Sequence, residues 1–134
     1  MANTLYDKGR EKFLTASINW SSDTIKTYLI DTGSYTFSQS HEFLSDVAGG
    51  SRIAGPQTLG SKTTTSGAAD AADVTFSAVS GASIEAILLI KDTGVEGTSP
   101  LIAYIDTATG LPITPNGGDI IVTWDNGTNR IFKL

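Results

Sequence analysis

Punctuation is the feature that most restricts this chain. Its longest apolar run, Ala86 to Ile90 (AILLI), is only five residues, and clusters of Gly, Pro, Asn, Asp and Ser separate it from the other apolar segments. A helix needs roughly ten or more residues of 3.6-residue periodicity, whereas a strand needs about four to eight bounded by turns. The expected fold is therefore all-β: a single compact β-sandwich or barrel of about seven to nine short, mainly antiparallel strands, with a short N-terminal helix or arm. A membrane-spanning helix needs about 20 apolar residues, so no membrane partner is expected.

The pattern is strongest in Leu101 to Leu134, LIAYIDTATGLPITPNGGDIIVTWDNGTNRIFKL, where two stretches of turn chemistry divide three apolar runs. Pro112, Pro115 and Asn116-Gly117-Gly118 predict a wide turn. Asp125-Asn126-Gly127 predicts a tighter hairpin between Asp119 to Trp124 and Arg130 to Leu134. Ile120, Val122 and Trp124 would share one face, opposite Phe132 and Leu134. On that reading the chain ends inside the sheet, and Ile131 to Leu134 is required for folding.

Upstream, Ser83 to Lys91 places Ile84, Ala86, Leu88 and Ile90 on one face and Ile87 and Leu89 on the other. With both faces apolar, this segment is expected to be the central strand. Ile25 to Ile30 and Val74 to Phe76 alternate as strands, and Tyr35 to Ser38 can form another. Two more are expected near Gln57 to Leu59 and Lys62 to Thr65, within the Gly-, Ser- and Thr-rich region from Ser51 to Ala72. Gly55-Pro56 forbids a continuous helix there. His41 to Val47 can make one helical turn. Met1 to Ser17 is expected to be a helix or arm (domain 1–17, preceding a β domain 18–134 in one unit), with Asn3 capping it and Leu5, Gly9 and Phe13 on its buried stripe.

Composition narrows the function. With no cysteine among 134 residues, disulfides and thiolate metal sites are excluded. A formal charge of -5 argues against binding nucleic acid, which requires clustered Lys and Arg. The N-terminus, MANTLYDKGREKFL, lacks the apolar core of a secretory signal, so synthesis and assembly in a cytoplasm are expected.

The motifs that bear on chemistry are weak. Gly55 to Thr63 (GPQTLGSKT) approaches a phosphate-binding loop, but Ser61 separates Gly60 from Lys62 and no helix-forming sequence follows. His41 is the single histidine, near Glu42 and Asp46, and a zinc site of the usual kind would need another. Asp31, Asp92, Asp106, Asp119 and Asp125 fall at strand ends, where carboxylates cap turns; a calcium site is the alternative use, although no EF-hand loop is present. Ile30-Asp31-Thr32-Gly33, Lys91-Asp92-Thr93-Gly94 and Ile105-Asp106-Thr107 echo one another as strand-turn units. Trp20, Trp124, Tyr28, Tyr35 and Tyr104 form either core anchors or a stacking platform for sugars. No catalytic, metal or cofactor residues are assigned.

Three segments together resemble a known family: Met1-Ala2-Asn3 with Leu5-Tyr6-Asp7-Lys8-Gly9-Arg10-Glu11 and Phe13-Leu14; His41-Glu42-Phe43-Leu44-Ser45-Asp46 with Asp70-Ala71-Ala72-Asp73-Val74-Thr75-Phe76; and Leu101 to Leu134. The chain is similar to small virion structural proteins of tailed bacteriophages. The resemblance implies a non-enzymatic virion component, foremost a capsid decoration (cement) protein bound to the outer shell. Its partners would be the major capsid protein or other virion proteins, and copies of itself, with a trimer the expected oligomer. The alternatives are a head-fibre, tail or connector component, or a carbohydrate-binding β module. The N-terminal segment, the loop from Ala48 to Ala69 and exposed aromatics are the expected contacts.

Overall fold

A computed structural model describes residues 3–134. In chain order it contains β1 (Thr4–Leu5), α1 (Asp7–Leu14), β2 (Ile25–Ile30), β3 (Arg52–Thr58), β4 (Ala68–Ala69), β5 (Val74–Phe76), β6 (Ala86–Lys91), β7 (Leu101–Ile105), β8 (Ile120–Val122) and β9 (Phe132–Lys133). Short 3-10 turns occupy Leu44–Asp46, Gly49–Ser51, Thr65–Gly67 and Glu96–Thr98. The strands form an antiparallel five-stranded sheet, order β1-β7-β6-β2-β3, and two antiparallel pairs, β4-β9 and β5-β8. The described residues are thus mostly strand and loop with one short helix, and the strands do not close into a barrel.

β6 lies at the centre of the large sheet, as its two apolar faces require. Ile87 and Leu89 pack with Ile25 and Leu29 on one face, and Ala86, Leu88 and Ile90 pack with Tyr28 and Ile30 on the other. Each buried Leu or Ile contributes about 1.5–3 kcal/mol, so the four in this strand together contribute roughly 6–12 kcal/mol before ordering costs. Ile84 departs from the expected alternation and joins the Ile87 and Leu89 side. It precedes the strand and exchanges backbone hydrogen bonds with Ile113, at 2.8 and 2.9 Å, which turn it toward that face.

The helix is shorter than expected, and its first residues belong to the sheet. Leu5 lies in β1, opposite Ala103, and the Tyr6 amide donates to the Ile102 carbonyl at 3.0 Å. Asn3 does not cap α1. Its Oδ1 accepts from the Asp106 and Thr107 amides at 2.9 Å each, and its Nδ2 donates to the Thr107 carbonyl at 3.0 Å, tying β1 to the end of β7. Met1 and Ala2 lie outside the described residues. Gly9 supplies the close approach of α1 to β7: a Cβ there would stand 2.6 Å from the Leu101 carbonyl oxygen and 3.2 Å from that of Ile102.

Three expected strands are not formed as drawn. Residues 35–38 are a loop whose rings pack inward, with Phe37 stacked 4.6 Å and Tyr35 edge-on 6.0 Å from Tyr104. Aromatic burial there replaces ladder bonds. Residues 57 and 58 belong to a longer strand, β3, which passes through Gly55-Pro56 and ends before Leu59; on an edge strand Pro forfeits no ladder bond where its missing amide faces outward. Residues 62–65 make only an isolated bridge, Thr63 to Asp70, and run into the Thr65–Gly67 turn. His41–Val47 does contain a helical turn, of the 3-10 type.

The C-terminal hairpin is the largest correction. β8 pairs with β5, and β9 pairs with β4, so the segments flanking Asp125-Asn126-Gly127 part instead of pairing. Val122 and Trp124 are buried and Ile121 is exposed, as the alternation required. Phe132 packs edge-on against Trp20 at 5.3 Å and tilted against Phe13 at 5.9 Å. Leu134 is exposed, its backbone amide bonded to the Gly67 carbonyl at 3.1 Å. Pairing with the distant β4 and β5 lets Val122, Trp124 and Phe132 reach the main apolar cluster, which a self-contained two-stranded hairpin would not provide.

Candidate functional site

Most of the titratable side chains singled out in the sequence act in turns. Asp31 and Asp92 accept the Gly33 and Gly94 amides at 2.9 and 3.1 Å, so the two Asp-Thr-Gly segments make the same local bond. Asp119 accepts the Ala78 amide at 3.0 Å, and Thr107 donates its hydroxyl to Asp106 at 3.3 Å. Asp125 lines a groove described below. Among the described residues, no three His, Asp or Glu side chains are grouped to hold a metal ion.

His41 takes part in a hydrogen-bond chain. Its Nδ1 is 2.8 Å from the Tyr35 hydroxyl, which is 3.0 Å from the hydroxyl of fully buried Tyr6. Burial, reinforced by the Tyr35 bond, pushes the Tyr6 phenol far above its ordinary range, and burial also raises Tyr104, to about 12. These phenols stay neutral inside the apolar cluster around β6. Asp46 accepts the Glu42 and Phe43 amides at 2.8 and 3.1 Å, and those bonds hold its carboxyl below the usual range.

The segment resembling a phosphate loop has no helix behind it. Gly55 and Pro56 are in β3, and Lys62 donates to the Asp23 carbonyl, away from any ring of amides. The proposed sugar platform is dismantled by burial: Trp20, Trp124, Tyr28, Tyr35 and Tyr104 are all at most 8% exposed. Trp20 and Trp124 donate their indole N–H groups to the Asp70 and Ala72 carbonyls at 3.2 and 3.1 Å. The exposed large apolar residues are aliphatic instead: Leu14, Val95, Ile121 and Leu134.

Besides a cavity of about 470 Å³ lined by Thr32, Tyr35, Phe37, Glu85, Tyr104 and Asp106, two concave features border the C-terminal segment. The larger is a groove of about 680 Å³ beside β1, at the edge of the five-stranded sheet. Leu5, Ile87, Ala103, Ile105 and Phe132 give it apolar lining, and the segment 122–133 crosses it. Arg10, Arg130 and Lys133 also line it, with Asp125 the single carboxylate. Arg10 is 3.8 Å from Asp7 and Arg130 is 3.7 Å from Asp70, both long for ion pairs, and Lys133 has no ion-pair partner among the described residues. The other six Lys and Arg side chains each hold an oxygen at 3.2 Å or closer. Of the three groove cations, Arg10 lies 120 residues before Arg130, so no local motif could have announced the groove.

The smaller feature is an apolar cleft of about 320 Å³ where Phe13, Ile18, Trp20, Phe132 and Leu134 meet. It joins the end of α1 to the β4-β9 pair. From the expected contact loop, Gly67 and Ala69 reach it, while much of 55–67 is exposed.

The sequence matches no known protein family. It also matches no curated protein.

Proposed function

We propose that the protein is a non-enzymatic structural component of a tailed-phage virion, and that its place is on the outer shell as a capsid decoration protein. The observation that carries this reading is the resemblance of residues 1–14, 41–46, 70–76 and 101–134 to that family. The structure is compatible in two respects. Most of the carboxylates in question are occupied in turn caps and ion pairs, and the side chains left to solvent along α1 and the C-terminus include the aliphatic Leu14 and Leu134. We further read the two small strand pairs, which share one apolar cluster with a face of the large sheet, as the second layer of an open β-sandwich.

The mechanism is mass action. A protein that binds the assembled lattice but not free capsid subunits stabilises the lattice by its binding free energy, and an oligomer such as a trimer adds avidity. A chain of net charge -5 on the outside of the shell needs no contact with the packaged genome. Binding is tested by mixing labelled protein with purified particles stripped of it. Saturable uptake of hundreds of copies, with higher resistance of the particle to heat or chelator, is expected; removal without any change in that resistance counts against the cement role.

A further inference from the structure

We propose that the groove beside β1 is a docking site for an extended, acidic peptide segment of a partner protein. Three independent features converge there. The first is charge: in a chain of net charge -5, the three Lys and Arg side chains that hold no oxygen within 3.2 Å among the described residues, Arg10, Arg130 and Lys133, all line this one groove, against one carboxylate, Asp125. Arg10, Arg130 and Lys133 are all exposed, so they can turn toward an incoming anion without breaking a tight bond. The second is the apolar lining from Leu5, Ala103 and Ile105, which suits the alternate side chains of an extended segment. The third is that β1 is an edge strand with a neighbour on one side only, and an edge offers unpaired backbone groups to a further strand.

The charge complementarity selects the occupant. A basic segment would add like charge to a groove that already holds three cations and one carboxylate, while carboxylates at alternate positions would engage those cations and leave apolar side chains for the groove. The inference concerns the groove alone, and holds whether or not the partner belongs to a virion.

The test is a titration of isotope-labelled, full-length protein, followed through its amide resonances. The probe is a degenerate pool of nine-residue peptides alternating Glu with Val, Leu, Ile or Phe; a matching pool alternates Lys. The Glu pool is expected to shift the amides of Leu5, Ala103 and Trp124 and to weaken as salt rises. Lys133→Gln and Arg130→Gln, both at exposed positions, should each reduce its affinity about threefold while leaving shifts remote from the groove unchanged. The proposal is overturned if the two pools bind equally, if the substitutions leave Glu-pool binding intact, or if no shift develops by about 1 mM peptide, an affinity limit of roughly -4 kcal/mol. Sodium glutamate at the same carboxylate concentration giving the same shifts would also overturn it, by reducing the groove to a simple anion site.

Discussion

Replacing Gly9 by Ala tests how α1 is held to the sheet. In an isolated helix the change is favourable by about 1 kcal/mol, because Ala loses less backbone freedom than Gly. Here the added Cβ would lie 2.6 Å from the Leu101 carbonyl oxygen and 3.3 Å from the Ile102 Cα. Those atoms belong to β7, which is paired on both sides with β1 and β6 and cannot withdraw without disturbing the ladder. Overpacking of this kind costs about 1–3 kcal/mol, and partial undocking of α1 adds lost burial of Tyr6 and Phe13. The helix gain offsets part of this, for a net loss of about 1–2 kcal/mol. In a chain of this length that lowers the melting temperature by about 3–8 °C. Thermal unfolding followed by circular dichroism measures it, with Gly60→Ala as control because a Cβ there meets nothing within 4 Å. A Gly9→Ala protein that melts at or above the parent temperature refutes the packing argument.

Thr27 is fully buried in β2, and its hydroxyl has no hydrogen-bond partner among the described residues. Thr27→Val keeps the shape and removes the orphaned group, so it should raise the urea unfolding free energy by about 1 kcal/mol; a decrease contradicts that assignment. The carboxyls of Asp46, held by the Glu42 and Phe43 amides, and Asp92, held by Lys26 and the Gly94 amide, are both below their ordinary range. Their contribution to stability is therefore complete above the unfolded value near pH 4 and is lost as pH falls through the lower folded values. The melting temperature should fall steeply below about pH 4, and Asp46→Asn should flatten that fall; an unchanged acid profile in the variant argues against the cap. Deleting 132–134 removes the Phe132 contacts with Trp20 and Phe13 but no strand of the five-stranded sheet. It should lower stability by about 2–4 kcal/mol and leave a cooperative urea transition, whereas loss of cooperative folding would restore the C-terminus to an essential role.

The legible parts of this fold are those set by neighbours in sequence. AILLI announces a strand apolar on both faces, and β6 is central because only the middle of a sheet buries both. Val74-Thr75-Phe76 alternates strongly enough to fix which side chains point inward, whereas Ile25 to Ile30 is buried on both faces, with Ile25 and Leu29 in one cluster and Tyr28 and Ile30 in the other. Pairing partners are another matter. Asp125-Asn126-Gly127 carries hairpin chemistry, yet β8 and β9 go to β5 and β4, because the apolar surface that Trp124 and Phe132 bury is made by residues some 50 or more positions away. Asn3 has the composition of a helix cap, but the amides of Asp106 and Thr107, roughly 100 residues on, compete for its oxygen. The sugar-platform reading failed for a related reason: an aromatic at a strand edge can turn to either side, and all five rings turn inward. The groove depended on which cations hold no oxygen at close range, a property of the folded chain that no spacing encodes.

Occupancy of the shell tests the central claim most directly. Reconstruction of purified particles of the tailed phage proposed to encode this chain, together with the chain's copy number by quantitative mass spectrometry, is predicted to place hundreds of copies at regular positions on the outer capsid surface. Density confined to a fibre, tail or connector, with a dozen copies or fewer, or absence of the protein from the particle, would contradict it.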